Sequence, residues 1–140
     1  MSLTNLCGPN KPLKQEAFDG QEFEGLKRSG QARLRDAQNT TLSLESRFDL
    51  AYNAAHAFSL AGLRWHGYRA SNRYIVFQVL PDTLNLGPSI WRVLAKCHEV
   101  RNLAEYEGHL SIDERLVLDL ISACELVHEK VNELNTDRPN

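Results

Sequence analysis

The sequence predicts an all-α protein, an antiparallel four-helix bundle whose third helix is split into a short piece and a long one. Three observations predict it. Apolar residues recur at alternating three- and four-residue steps over long stretches. Prolines, glycines and capping residues separate those stretches by short intervals, which favours neighbouring helices running antiparallel. No pair of matching strands stands out between them. At 140 residues the chain is one domain, long enough to bury roughly two thirds of its unfolded surface.

Residues 1–20 hold Gly8, Pro9, Pro12 and Gly20 and show little periodicity, so an extended or partly ordered arm is expected. The bundle follows over residues 21–135, and residues 136–140 form a polar tail. The first helix is expected at 21–39, on Phe23, Leu26, Leu34 and Ala37, with Gly25 and Gly30 weakening it. The second is the best defined. Ser43 can cap it, and Phe48, Ala51, Ala55, Phe58, Gly62 and Trp65 make one continuous stripe, with Gly67 as a natural stop.

A polar turn with Arg69 and Arg73 comes next. Residues 74–80 read as a short helix capped by Asn72. A strand competes, because Tyr74-Ile75-Val76-Phe77 is rich in β-formers. Pro81 is expected to break this piece, with a loop over 82–87. Pro88 suits the first turn of the third long helix, which should stop at Gly108. Ser111 with Glu114 reads as a capping box for the fourth helix. Leu116, Leu120, Ala123, Val127 and Leu134 form its buried face, and it is expected to end near Asn135.

Composition narrows the function classes. A formal net charge of −2 argues against nucleic-acid binding driven by bulk charge, though not against a local basic patch. Cys7, Cys97 and Cys124 are odd in number and lack zinc-ligand spacing, so free thiols are expected. No apolar run approaches the roughly 20 residues that span a bilayer, and the first residues carry no apolar signal core. The expectation is therefore a cytoplasmic protein without a membrane partner. The five histidines, His56, His66, His98, His109 and His128, show no metal-ligand spacing, and no glycine-rich phosphate loop or nucleophile elbow is present. Neither a metal nor a cofactor is expected.

Chemistry concentrates in Arg101-Asn102-Leu103-Ala104-Glu105-Tyr106. At about 100° per residue, Arg101 falls roughly 50° from the centre of the stripe made by Ile90, Val93, Leu94, Cys97, Val100 and Ala104. Glu105 lies one turn on and His98 one turn before, so the three make a polar edge beside the core. Asn102 and Tyr106 point to other sides of the same last turns. The plain structural reading is an Arg101–Glu105 i,i+4 pair contributing a few tenths of a kcal/mol. Arg69 and Arg73, with Lys96, would add a phosphate-binding surface if the turn folds toward the third helix; otherwise they are solvated charge. Trp65-His66-Gly67-Tyr68-Arg69 could stack a base, or could simply pack a helix end onto the bundle.

With the helix order and the split third helix around it, this motif resembles the HEPN superfamily, over roughly residues 20–135. These are small helical bundles, many of them metal-independent ribonucleases, including toxins paired with nucleotidyltransferase antitoxins. Others are noncatalytic binding or assembly modules. The family signature is an arginine, usually followed by a polar residue, then a histidine after a gap of four to six residues. Arg101 and Asn102 match its first two places. The histidine place falls on Tyr106 at the shortest gap and on Gly108 at the longest. His109 lies one residue beyond.

In ribonuclease members the arginine and histidine act on the scissile phosphate and the ribose 2′-hydroxyl. A guanidinium fork can hold two phosphate oxygens, and an imidazole can move a proton near neutral pH. A phenol, with an ordinary pKa of about 10, is a poor base at pH 7 but can hydrogen-bond a phosphate. The resemblance thus implies a site of Arg101, Asn102, Tyr106 and His109; helical spacing adds His98 and Glu105 as binding candidates beside Arg101, and the polar turn adds Arg69 and Arg73. It also implies a homodimer whose motif helices meet across a two-fold axis.

Three functions remain open on this reading. The first is a binding module for a protein partner, such as a nucleotidyltransferase, or for an RNA or nucleotide phosphate. The second is an active ribonuclease of toxin–antitoxin type. The third is a purely structural dimer.

Overall fold

The computed structural model describes residues 3–108 and 111–134. His109, the residues from Asn135 onward and hence the expected polar tail lie outside the described residues. The chain is mostly helical, with one small two-stranded sheet. After a single 3-10 turn at Thr4–Leu6 come β1 (Leu13–Gln15), α1 (Gly20–Ala37), α2 (Leu44–Trp65) and β2 (Tyr68–Ala70). They are followed by α3 (Arg73–Gln78), α4 (Leu80–Thr83), α5 (Pro88–Glu107) and α6 (Glu114–Asn132).

α2 is the central element. It packs against α1 along much of its length and against α6, while α5 lies against α3, α6 and α2. Its alanines explain that position: Ala51, Ala54, Ala55 and Ala61 are fully buried and leave room for neighbours on several sides. The main core gathers Phe23, Phe48, Phe58 and Phe77 with the α6 residues Val117, Leu120, Cys124 and Val127. Gly30 belongs to this packing. A Cβ there would meet the Phe58 ring at 2.6 Å, so the glycine that costs α1 helical propensity lets α1 and α2 approach. Burial pushes the Cys97 and Cys124 thiols up to about 12, so both pack as neutral small hydrophobes.

Caps set the helix limits. Asp19 Oδ1 accepts from the Gln21 and Glu22 amides at the start of α1. Ser43 Oγ accepts from the Ser46 amide at the start of α2, as its position predicts. The buried Arg47 donates from Nε to the Ala37 carbonyl at 2.8 Å and so closes the end of α1. Gly108 ends α5 with φ 77°, a conformation open to glycine.

Three expectations need correction. Ser111 does not cap the last helix; Asp113, whose extended backbone directly precedes it, accepts from the Leu116 amide at 2.9 Å. Pro81 does not break the chain into loop but sits in the first turn of α4, where its missing N–H is not needed. The turn after α2 contains a strand, since Leu13 to Gln15 pair antiparallel with Tyr68 to Ala70. The competing assignment at 74–80 resolves as helix, with Asn72 Oδ1 accepting from the Ile75 amide. The sheet has its own apolar support, because Leu13 is fully buried with Leu63, Tyr68, Ile75, Val76 and Val79 in a second core.

Candidate functional site

Tyr52 on α2 is the hub. Its ring is fully buried, near-parallel to Phe48 with centroids 6.4 Å apart and edge-on to Phe77. Two guanidinium groups approach the same ring, Arg73 from α3 at 5.6 Å and Arg101 from α5 at 5.1 Å. Their separation therefore cannot exceed the sum of those two distances. Each contact is worth about 0.5–1 kcal/mol where exposed, and more when desolvated.

Polar contacts order the rest. Tyr52 Oη lies 2.9 Å from His98 Nδ1, and His98 Nε2 lies 3.1 Å from Asn102 Nδ2. In this orientation the amide nitrogen can only donate. The imidazole proton then sits on Nδ1, which donates to the Tyr52 oxygen. Burial raises the Tyr52 hydroxyl above its usual value, against the opposing pull of Arg73 and Arg101. Burial, followed by the Arg73 and Arg101 charges, lowers His98. His56, one turn along α2 from Tyr52, is driven down to about 4 by burial and then by Arg73, His98 and Arg101. Both imidazoles are neutral at pH 7 in the field of two arginines.

Arg101 is placed by the Tyr52 ring and is only weakly paired. Its nearest carboxylates, Asp49 on α2 and Glu105 one turn along α5, both stand at 3.8 Å and are mostly exposed. Those are ion pairs without hydrogen-bond contact. Arg73 is held by neutral acceptors, Asn53 Oδ1 at 3.1 Å and the Tyr52 phenol. The arrangement presents two cations, a neutral imidazole and an exposed amide around one buried phenol. Chemically it suits an anion with several oxygens.

The residues expected from the sequence separate into groups. Arg101, His98, Asn102, Glu105 and Arg73 come together around Tyr52. Tyr106 is 90 % exposed at the end of α5, and His109 lies outside the described residues. Arg69 goes elsewhere: its Nε and Nη2 reach Glu16 Oε2 and Glu22 Oε2, and the same two carboxylates pair with the buried Arg64. Of the Trp65-to-Arg69 segment, Tyr68 is buried and the other four residues are partly exposed. Tyr68 joins the second core, and His66 Nε2 lies 2.8 Å from the Thr83 carbonyl oxygen.

Sequence reasoning missed Tyr52, Asp49 and Asn53, and weighed His56 only as a metal ligand. The signal was present. Tyr52 and His56 are four residues apart on the flank of the α2 stripe, where an aromatic and an imidazole meet any helix laid beside it. Among the described residues no group of three or more histidines, cysteines and carboxylates is placed to hold a metal ion. Among the same residues no helix is long and apolar enough to cross a membrane. No family model matches the chain, and no curated protein matches it.

Proposed function

We propose that the protein is a HEPN-like module that binds a phosphate group of RNA or of a nucleotide at Arg101 and Arg73, without full catalytic activity. One observation carries this reading. Arg101 is fixed over the buried Tyr52 ring beside a second arginine, while its carboxylate neighbours stay at 3.8 Å. A phosphate can displace such carboxylates and offer closer oxygens to both guanidinium forks. The antiparallel four-helix bundle with a split third helix belongs to the same reading, supported by four long helices with α3 and α4 ahead of α5. So do a cytoplasmic homodimer and a nucleotidyltransferase as protein partner.

A metal-independent ribonuclease is the second reading. The position of His98 favours it, since an imidazole stands beside Arg101 without Tyr106 or His109 being needed. A nuclease of this kind uses the arginine on phosphate and the imidazole as proton carrier.

One experiment tests both. Mixed RNA is incubated in EDTA with wild type and with Arg101→Ala, scoring retention and cleavage. Retention without cleavage, lost in the variant, is the expected result. Cleavage by wild type alone selects the ribonuclease. Equal retention by both proteins removes Arg101 from the function.

A further inference from the structure

A second feature lies behind Arg73. Between α2, β2 and α3 is a cleft of about 250 Å³, with Leu60, Val76 and Ala70 as its apolar lining. Its polar lining is His56, Arg69, Ser71, Asn72 and Arg73, and no carboxylate is among the lining residues. We infer that this cleft is a binding site for a phosphate monoester, with Arg73, Asn72, Ser71 and His56 as its donors.

Each donor is available. Arg73 is half-buried, and its side-chain acceptors, Asn53 and the Tyr52 phenol, are both neutral. Among the described residues no carboxylate pairs with it, so its charge stays uncompensated. Asn72 spends its oxygen on the Ile75 amide at 3.0 Å, while its Nδ2 lies 3.4 Å from Ser71 Oγ. That amide group and the exposed Ser71 hydroxyl form the outer wall. His56 makes no hydrogen bond among the described residues and has its edge-on ring contact with Phe77. A neutral imidazole still has one N–H to give. Arg69 lines the cleft too, but Glu16 and Glu22 already neutralise it.

Size and donor count choose the ligand. At about 30 Å³ per water the cleft holds roughly eight waters. That admits a phosphate group with its first substituent, and falls short of the 300–1,000 Å³ typical of sites for larger molecules. An unneutralised guanidinium with three neutral donors suits the three terminal oxygens of a monoester, whose charge of about −1.5 to −2 exceeds that of a carboxylate. The inference stands apart from the Arg101 site, although Arg73 borders both.

The charged and titratable groups around His56 are Arg73 from α3, His98 and Arg101 from α5, Tyr52 one turn back on α2, and Arg69 from β2, which Glu16 and Glu22 neutralise. A bound anion would oppose the two cations and make the imidazole easier to protonate. The test follows the ring resonances of His56 by NMR while inorganic phosphate is added at constant ionic strength, with His66 as internal control. A saturable shift is expected, together with a rise in His56 proton affinity of at least about tenfold, one pKa unit. Arg73→Gln should abolish the response, and Arg73→Lys should restore part of it. Ser71→Glu alters an exposed position and puts a carboxylate at the mouth; it should raise the His56 pKa and exclude phosphate.

Two further arms identify the source of the phosphate. Tighter binding of an oligoribonucleotide bearing a terminal phosphate than of its hydroxyl counterpart supports a strand end. Equal binding of the two, with inorganic phosphate still saturating, supports a free small phosphate. Arg101→Ala removes one of the two cations that lower His56 and so should raise its starting pKa, yet phosphate should still saturate; loss of saturation in that variant would assign the response to the Arg101 site and overturn the cleft. No saturable shift, or an equal shift with chloride, overturns the proposal.

Discussion

Arg64 and Arg101 both meet carboxylates beside α2, roughly 22 Å apart along its axis at 1.5 Å per residue, and they do so in opposite ways. Arg64 is 1 % exposed. Its Nε donates to Glu22 at 2.6 Å, and its Nη groups donate to the Glu16, Ala17 and Tyr68 carbonyls. Arg69 completes the ring by binding the same two carboxylates. Arg101 rests on an aromatic face, with carboxylates at 3.8 Å and solvent beside it. The first region is a closed polar network that ties β1, β2 and the start of α1 to the end of α2. The second keeps its cations available. A satisfied arginine holds a fold together, whereas an arginine fixed in place with weak partners can recognise a ligand.

The largest expected effect breaks the closed network. Arg64→Met should cost about 3–5 kcal/mol, because it leaves carboxylates and three carbonyls without their buried donor. Urea unfolding checks it, and a loss under about 1 kcal/mol would make the two regions equivalent.

Acid separates the regions by pH window. Burial, then Arg73, His98 and Arg101, hold His56 at about 4 against its ordinary 6.5. Above pH 6.5 it is neutral folded and unfolded and contributes nothing to pH dependence. As the pH falls through 6.5, the unfolded chain takes up a proton that the folded chain refuses. Stability is then lost down to about pH 4, by about 3 kcal/mol at 1.36 kcal/mol per unit. His98 is lowered as well and acts in the same direction.

Glu16 is held below its ordinary 4.5 by its Arg69 hydrogen bond. Burial alone would raise Glu22, but the Arg69 and Arg64 hydrogen bonds outweigh it and leave it lowered. The stability these two carboxylates contribute is present above pH 4.5 and lost below it. Denaturation curves of wild type and His56→Gln across pH 3–8 should differ in slope between 6.5 and 4, and run parallel below. Identical slopes in the upper window would contradict the burial of His56.

Smaller changes sharpen the open region. Tyr52→Phe removes the acceptor of the His98 Nδ1 proton and should cost about 1 kcal/mol. It should also change the His98 ring chemical shifts. Arg101→Ala is expected to cost under about 1 kcal/mol, since only loose ion pairs and one ring contact are lost. It should nevertheless abolish retention of RNA. A large stability loss with RNA retention unchanged would make Arg101 structural.

The four long helices were legible because each has a local signature. The α2 stripe, Ser43, Pro88 and Gly108 act within a few residues of themselves, and each behaves as its position implies. The capping box at Ser111 misled because Asp113, two residues later, offers a carboxylate at the true boundary. The sheet was not legible. Its strands are three residues long and about fifty apart in sequence, so no periodicity marks them. Of the site, the α5 edge was readable from helical spacing, and Arg73 was named without its context. Tyr52 was hidden because an aromatic beside an apolar stripe reads as core until its neighbours are known.

The sequence by itself determined where the four long helices form and which residues of α5 share an edge, since both follow from local geometry and a 3.6-residue repeat. Only the tertiary structure decided the fate of the arginines. All of Arg64, Arg69, Arg73 and Arg101 look alike in sequence, yet the carboxylates that neutralise two of them come from 42 to 53 residues away. The Tyr52 ring that carries the other two belongs to a helix that meets α3 and α5 only in the folded chain. Coulombic and hydrogen-bond energies depend on distances in space, and no pattern along the chain contains those distances.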